Sequence, residues 1–152
     1  AEDGIRERRP SRGLGEVEKR QGFGFAHDNY KNESPLSYIN TANSNLINII
    51  QIESKQALEN VEEIAAIDGV DCLWVGHFDL TNFLGIPGQF DSDIYFNSIK
   101  RVVAAAKLNK KSLGIMVNNQ DELKMYSDLG FNMIAVGTEM SILSRSISQI
   151  LQ

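Results

Sequence analysis

The sequence is poor in the residues that define several classes of protein. Its 152 residues include one cysteine, three prolines, one tryptophan and two histidines. A lone cysteine, Cys72, cannot form an internal disulfide or a paired-cysteine metal site, and its apolar neighbours predict that it is buried and inert. No apolar run approaches the roughly 20 residues of a membrane span, and the first residues lack a signal-peptide hydrophobic stretch. We therefore expect a cytoplasmic protein that does not engage a membrane.

The charge balance is mildly acidic. Fifteen lysines and arginines oppose 20 aspartates and glutamates, a formal charge of −5, which argues against a nucleic-acid partner. The length suits one domain. Residues 1–33 are charged and then glycine-rich without a period, which predicts an irregular segment, and residues 34–152 are predicted to form the domain.

Within that domain the hydrophobic pattern alternates between strand and helix. Continuous apolar runs predict buried, hence parallel, strands. Helix-start residues and 3.6-residue periods predict the helices. The predicted strands are 45–52, 70–75, 113–117 and 131–136. The predicted helices are one opened by Ser34-Pro35, one capped by Ser54 and ended by Gly69, a short one at 80–84 within a long loop 76–91, one burying Ile94, Ile99, Val102, Val103 and Ala106, one capped by Asn119, and a last one carrying Ile142, Leu143, Ile147, Ile150 and Leu151. The fold class is α/β, with four βα units.

Two carboxylates follow predicted strands. Glu53 ends the run Ile49-Ile-Gln-Ile-Glu53, and Asp79 lies in Val75-Gly-His-Phe-Asp-Leu80. Ligands collect at the carboxyl ends of parallel strands, so both side chains are expected in one crevice. Converging carboxylates favour a hard cation such as Mg²⁺ or Mn²⁺. The alternative, that Glu53 simply opens the next helix and meets its dipole, remains open on these residues alone.

Further motifs extend this pair along the chain. They run in order from the N-terminal region to the C-terminus: Arg12-Gly13 with Gly15, Ile50-Gln51-Ile52-Glu53, Ala57 with Glu59-Asn60, Gly69-Val70-Asp71, Val75-Gly76 with Asp79-Leu80, Leu84-Gly85, Pro87-Gly88, Lys111, Gly114-Ile115-Met116 and Ala135-Val136-Gly137. In order and spacing the set resembles the HpcH/HpaI aldolase/citrate lyase family, metal-dependent class II aldolases of 2-oxo acids. The resemblance runs from about Arg12 to the C-terminus.

The resemblance implies a fold, a cofactor and a reaction. The fold would be the second half of a TIM-type (β/α)₈ barrel. Glu53 and Asp79 would hold the divalent ion, Mg²⁺ or Mn²⁺ with Co²⁺ as a third option. The implied substrate-binding residues are Gln51, Gly76, Phe78, Met116 and Arg12. The implied partners are a pyruvate-type 2-oxo acid and an aldehyde, and the activity is that of a carbon-carbon lyase acting on 4-hydroxy-2-oxo acids.

The sequence also departs from the family pattern. His77 stands where the family has proline, and Glu139 where it has aspartate. The family's catalytic histidine and its carboxylate-gripping arginine have no counterpart, so no catalytic residue is assigned, and His27 in its polar loop is expected to be only solvated. A non-catalytic remnant that binds metal or oxo acid is the alternative. A receiver-like domain with Asp79 as its switch ranks below both, because it lacks the acidic pair that holds Mg²⁺. Open sheet edges predict a homo-oligomer or pairing with a missing barrel half.

Overall fold

The computed structural model describes residues 34, 36–37, 41 and 44–151 of a chain that divides into two compact units, Ala1–Asn48 and Ile49–Gln152. In the first unit the Ser34 hydroxyl accepts a hydrogen bond from the Ser37 backbone N–H at 3.3 Å, as a helix N-cap does. The predicted segment 1–33, with Arg12 and His27, lies outside the described residues.

The second unit is a four-stranded parallel sheet with helices between its strands. Strand order follows the chain, β1-β2-β3-β4, and all three pairings are parallel. The strands are β1 Ile49–Ile52, β2 Cys72–Val75, β3 Ser112–Val117 and β4 Met133–Val136; the helices are α1 Lys55–Glu59, α2 Val61–Ala66, α3 His77–Phe83, α4 Asp93–Leu108, α5 Gln120–Leu129 and α6 Glu139–Ile150. The predicted α/β class with parallel strands is confirmed.

The two faces of the sheet carry different residues. Side chains alternate along a strand, and Ile52, Leu73 and Ile115 are buried on the face that packs against the helices. The opposite face carries Gln51 and Trp74, which are register partners. The core therefore lies between the sheet and the helices, and the polar ends of the strands are free to form a site.

Several predicted boundaries need correction. β1 begins at Ile49 rather than residue 45, and Ile49 pairs with the first residue of β2, Cys72. The Ser54-capped helix is two short helices interrupted at Asn60, although its cap is confirmed: Ser54 Oγ accepts from the Ala57 N–H at 3.1 Å. β2 and β4 are likewise shorter than predicted.

Helix predictions were wrong in two further places. Residues 76–91 do not begin as a loop, since α3 starts at His77, directly after β2. Ile94 was expected to pack with α4's apolar face but is 52% exposed. The other four predicted core residues of α4 are buried, and Asn119 caps α5 as predicted.

Two observations complete the fold. Cys72 is fully buried, as predicted, and burial raises the pKa of its thiol to about 11, so the thiolate is suppressed at neutral pH. Every helix formed by the described residues is too short or too polar to cross a bilayer.

Candidate metal and substrate site

A pocket of about 140 Å³ opens at the carboxyl ends of β1, β2 and β3. Sheets of this kind bind ligands at this end because the loops there are free of strand packing. The pocket is lined by Gln51, Trp74, Val75, Gly76, His77, Phe78, Asp79 and Met116. Five of these, at positions 51, 76, 78, 79 and 116, were named from the sequence.

Gly76 forms the point at which β1 and β2 side chains converge. A Cβ at Gly76 would lie 2.8 Å from Glu53 Cβ, 3.0 Å from Gln51 Nε2 and 3.1 Å from Glu53 Oε2. Any larger residue would displace these side chains. Glu53 is not itself a lining residue of the pocket, but its carboxylate rests on the glycine that is.

Asp79 reaches the same pocket through α3. The Gly76 N–H donates to the Ile52 carbonyl at 3.1 Å, and the Leu80 N–H donates to the Gly76 carbonyl at 2.8 Å. The chain therefore passes from the sheet ladder into helix within one residue. That tight junction puts Asp79 in the first turn of α3, three residues after Gly76.

His77 is the largely buried residue of this junction, 8% exposed. Its ring contacts Phe78 at a centroid distance of 4.5 Å and Phe90 at 5.2 Å. Burial lowers the pKa of His77, and the charge of Glu122 opposes that shift without reversing it. The imidazole is therefore neutral at pH 7.

Phe90 is brought to His77 by the segment that follows α3. The fully buried Thr81 fixes this segment: its hydroxyl donates to the Phe78 carbonyl at 2.8 Å and accepts from the Gly88 N–H at 3.1 Å. The hydrogen bonds of Thr81 and the ring contact between Phe90 and His77 thus fix the segment after α3 at the rim of the pocket.

Trp74, which lies within the predicted strand 70–75 and was not named as a site residue, lines the pocket. Its indole lies on Gly114 of β3, where a Cβ would stand only 2.3 Å from Trp74 Cε3. The signal was available in the alternation of β2, because Trp74 and Gly76 share a face. Gly114 in turn had been noted only as part of a motif.

The loop after β3 closes this side. Glu122 accepts hydrogen bonds from the Asn118 N–H and the Asn119 side-chain amide, both at 2.8 Å. Arg145 of α6 donates to the Asn118 carbonyl. These contacts fix the backbone just beyond Met116, on the side of the pocket that Met116 lines.

The donor groups suit a hard divalent cation. Glu53 and Asp79 supply carboxylate oxygens and Gln51 an amide oxygen, the ligand chemistry of Mg²⁺ and Mn²⁺. The missing Cβ of Gly76 leaves the space that brings Glu53 and Gln51 together. Among the described residues no group of three or more His, Cys, Asp or Glu could hold a metal, so two carboxylates would leave most of the coordination sphere to water and substrate.

Comparison with known proteins follows the same lines. Residues 2–146 match the model of the HpcH/HpaI aldolase/citrate lyase family. The chain is 34% identical over 141 residues to a hydroxypyruvate/pyruvate aldolase of Paraburkholderia phytofirmans, a match covering 93% of this chain and 51% of that protein. It is also 34% identical over 112 residues to a 5-keto-4-deoxy-D-glucarate aldolase of Citrobacter koseri, covering 74% of this chain and 43% of the relative.

A solved structure gives the same result. A HpcH/HpaI aldolase/citrate lyase family protein from Burkholderia cenocepacia superposes with a TM-score of 0.74 at 36% identity, over 76% of this chain and 45% of that one. The chain spans about half the length of the curated relatives that it matches.

Proposed function

Since the chain belongs to the HpcH/HpaI aldolase/citrate lyase family, we propose that its pocket is the metal and substrate site of a class II aldolase. The reaction would cleave or form the carbon-carbon bond of a 4-hydroxy-2-oxo acid, with a pyruvate-type 2-oxo acid and an aldehyde as the two halves. One observation carries the proposal: Gln51, Gly76 and Asp79 line one pocket, and the Glu53 carboxylate rests on its glycine.

Glu53 and Asp79 are the proposed protein ligands of Mg²⁺ or Mn²⁺. The family resemblance and the all-oxygen donor set support this assignment. When bound, the ion would supply Lewis-acid polarisation of the substrate keto oxygen. With only two protein carboxylates, affinity for the free ion is expected to be modest and to rise when the oxo acid is present.

The other lining residues are proposed to bind the substrate or to exclude water from it. Gln51, beside Glu53, would donate its amide N–H to a substrate oxygen, and the backbone N–H groups of the first turn of α3, around Phe78, would donate to the substrate carboxylate. Met116 and Trp74 are apolar walls that keep bulk water from the reacting carbons, which strengthens every electrostatic contact inside. Arg12, outside the described residues, is proposed as a further substrate contact.

Domain organisation follows from this site. We propose that residues 34–152 form the partial barrel domain and that residues 1–33 contribute the Arg-Gly loop. Among the described residues β1 and β4 each pair on one side only, and unpaired parallel edges favour association. A homo-oligomer, or pairing with further barrel strands, is therefore proposed, and sedimentation should show a species larger than a monomer.

A binding role without turnover is the second candidate. The single histidine of the described residues, His77, packs against two phenylalanine rings that also contact each other. That placement favours a structural histidine over a general base, and positioned acid-base groups typically contribute roughly 10² to 10⁴ in rate. Pyruvate would then bind and lose a methyl proton slowly, while carbon-carbon cleavage would be weak.

Carbon-carbon cleavage separates the two candidates, and proton exchange tests the site that both share. Pyruvate methyl protons are followed by NMR in D₂O with Mg²⁺, and pyruvate release from a 4-hydroxy-2-oxo acid is followed by coupling to lactate dehydrogenase. Both candidates predict metal-dependent exchange that Glu53→Gln abolishes and the exposed matched variant Glu63→Gln retains. Metal-dependent cleavage supports the aldolase, and exchange with little cleavage supports the binding role. Exchange that is unaffected by Glu53→Gln would contradict the proposed site, and rapid cleavage abolished by His77→Ala would make His77 the base.

A further inference from the structure

The walls of the pocket beyond the carboxylates are apolar. Trp74, Phe78 and Met116 line it, and the one charged lining residue is Asp79. Among the described residues no lysine or arginine lines the pocket. A ligand that extends past the metal ligands therefore meets aromatic and thioether surface and no cation from this part of the chain.

Phe78 is the exposed part of this surface and is fixed in place. It is 55% exposed, which is unusual for a ring held by two neighbours. Phe90 packs against it at right angles, with centroids 5.1 Å apart and planes at 89°, and His77, which contacts both phenylalanine rings, completes a cluster of three rings. A fixed, exposed ring at a pocket rim presents apolar area to a ligand without losing conformational entropy on binding.

The charge balance of the site points the same way. Of the described residues, Glu53 and Asp79 bring negative charge to the site, and no lysine or arginine lines the pocket. A second carboxylate on the ligand's tail would be repelled by the Asp79 carboxylate without a lining cation to offset it. A neutral tail adds no such repulsion.

We infer that the tail end of this pocket is a neutral apolar subsite that selects ligands whose chain beyond the oxo acid is alkyl or aryl over ligands with a carboxylate there. The inference rests on the proposed function and narrows it. The aldehyde partner would be an uncharged aliphatic or aromatic aldehyde.

Trp74 gives a direct readout, because it is the chain's one tryptophan and it lines the pocket. The probes are two 2-oxo acids of similar shape, 5-methyl-2-oxohexanoate, with an isopropyl tail, and 2-oxoglutarate, with a carboxylate tail. Each is titrated with Mg²⁺ present while Trp74 emission is recorded, and pyruvate serves as the reference ligand. We expect the isopropyl probe to bind at least about tenfold more tightly than 2-oxoglutarate, the scale on which apolar pockets discriminate.

Two matched variants locate the effect. Phe78→Ala should remove most of the isopropyl probe's advantage over 2-oxoglutarate. Phe83→Ala removes a similarly exposed ring from the same helix, outside the pocket lining, and should leave that advantage in place. A loss of the advantage in Phe83→Ala as large as in Phe78→Ala would overturn the assignment to Phe78.

The comparison of the two probes on the parent chain needs no variant. Equal binding, or tighter binding of 2-oxoglutarate, with pyruvate binding intact would overturn the inference alone. Absence of pyruvate binding, or pyruvate binding indifferent to Glu53→Gln, would overturn the proposed function and the inference with it.

Discussion

The strand-to-helix junctions β2-α3 and β4-α6 have similar sequences, but their residues are buried to different degrees. From Gly69 to Gly76 (Gly-Val-Asp-Cys-Leu-Trp-Val-Gly) and from Gly130 to Gly137 (Gly-Phe-Asn-Met-Ile-Ala-Val-Gly) the two segments match in character position by position. β2 has three fully buried residues of four, whereas β4 has none and α6 buries no residue. β2 has a strand on each side and β4 on one. In this sheet the burial of a strand therefore depends on its neighbouring strands and not on its local sequence.

The glycines that end these two segments, Gly76 and Gly137, have different structural roles. Gly76 has an ordinary φ of −83° and is required by the close approach of Glu53 and Gln51. Gly137 has φ +62°, and the atoms near its missing Cβ are the ends of the Ser141 and Arg145 side chains. One glycine makes room for a site, and the other permits a left-handed turn.

Leucine truncation in each region gives the largest expected contrast. Leu73 of β2 is fully buried, whereas Leu143 of α6 is 58% exposed. Leu73→Ala should lower the free energy of unfolding by about 2–5 kcal/mol, because it leaves a cavity in the core. Leu143→Ala should change it by under about 0.5 kcal/mol. Urea denaturation measures both, and equal losses would show that α6 is packed as tightly as β2.

Alanine at Gly76 should damage the site and the fold together. Its Cβ would stand 2.8 Å from Glu53 Cβ, so Glu53 must move. We expect a loss of about 1–3 kcal/mol in unfolding free energy, as for other overpacked positions, with much weaker Mn²⁺ binding. Calorimetry on the folded variant checks the second part.

The matched change Gly137→Ala tests whether glycine loss alone is responsible. An alanine at φ +62° is strained by about 1 kcal/mol, and the neighbouring side-chain ends can shift. Mn²⁺ affinity should be unchanged. Weakening of Mn²⁺ binding equal to that in Gly76→Ala would remove the distinction between the two junctions.

The smallest effect concerns the helix layer that covers β2. Arg101 of α4 donates to both carboxylate oxygens of Glu62 in α2, each at 2.8 Å, and these hydrogen bonds lower the pKa of Glu62 from 4.5 to about 2. A carboxylate with a lowered pKa stabilises the fold above its unfolded pKa and loses that contribution as pH falls.

The pair should therefore add slightly to acid sensitivity between about pH 4.5 and pH 2. Glu62→Gln should flatten the fall in unfolding free energy across that window, and the effect should be small because the pair is half exposed. A parent and variant with parallel pH profiles would show that the pair contributes nothing to stability.

Sequence patterns predicted the elements better than their ends or their burial. Ser54 and Asn119 declare helix starts through a local hydrogen bond, so both caps are confirmed. The exposure of Ile94 was not predicted, because Ile94 is the second residue of α4 and a helix end is assigned only to within one or two residues. α6 has a strongly apolar face by pattern, yet no part of it is buried.

The candidate site divides in the same way. Asp79 was expected in the crevice because parallel strands end at one edge of a sheet, a rule that needs no tertiary detail. Gln51 and Gly76 were implied by the family resemblance, and all three residues line the pocket. The roles of Trp74 and Phe90 depend on contacts with Gly114 and His77, which are distant in sequence. These contacts depend on the register between β2 and β3 and on the path of the segment that follows α3. A local sequence pattern predicts neither.

Metal binding by Glu53 and Asp79 is the central claim, and Mn²⁺ calorimetry tests it most directly. The parent chain should bind one ion per chain, and Glu53→Gln and Asp79→Asn should each abolish that binding. Glu59→Gln, which neutralises an exposed carboxylate of α1, should retain it. If both site variants bind Mn²⁺ as tightly as the parent, the two carboxylates are not the ligands and the proposed site is wrong.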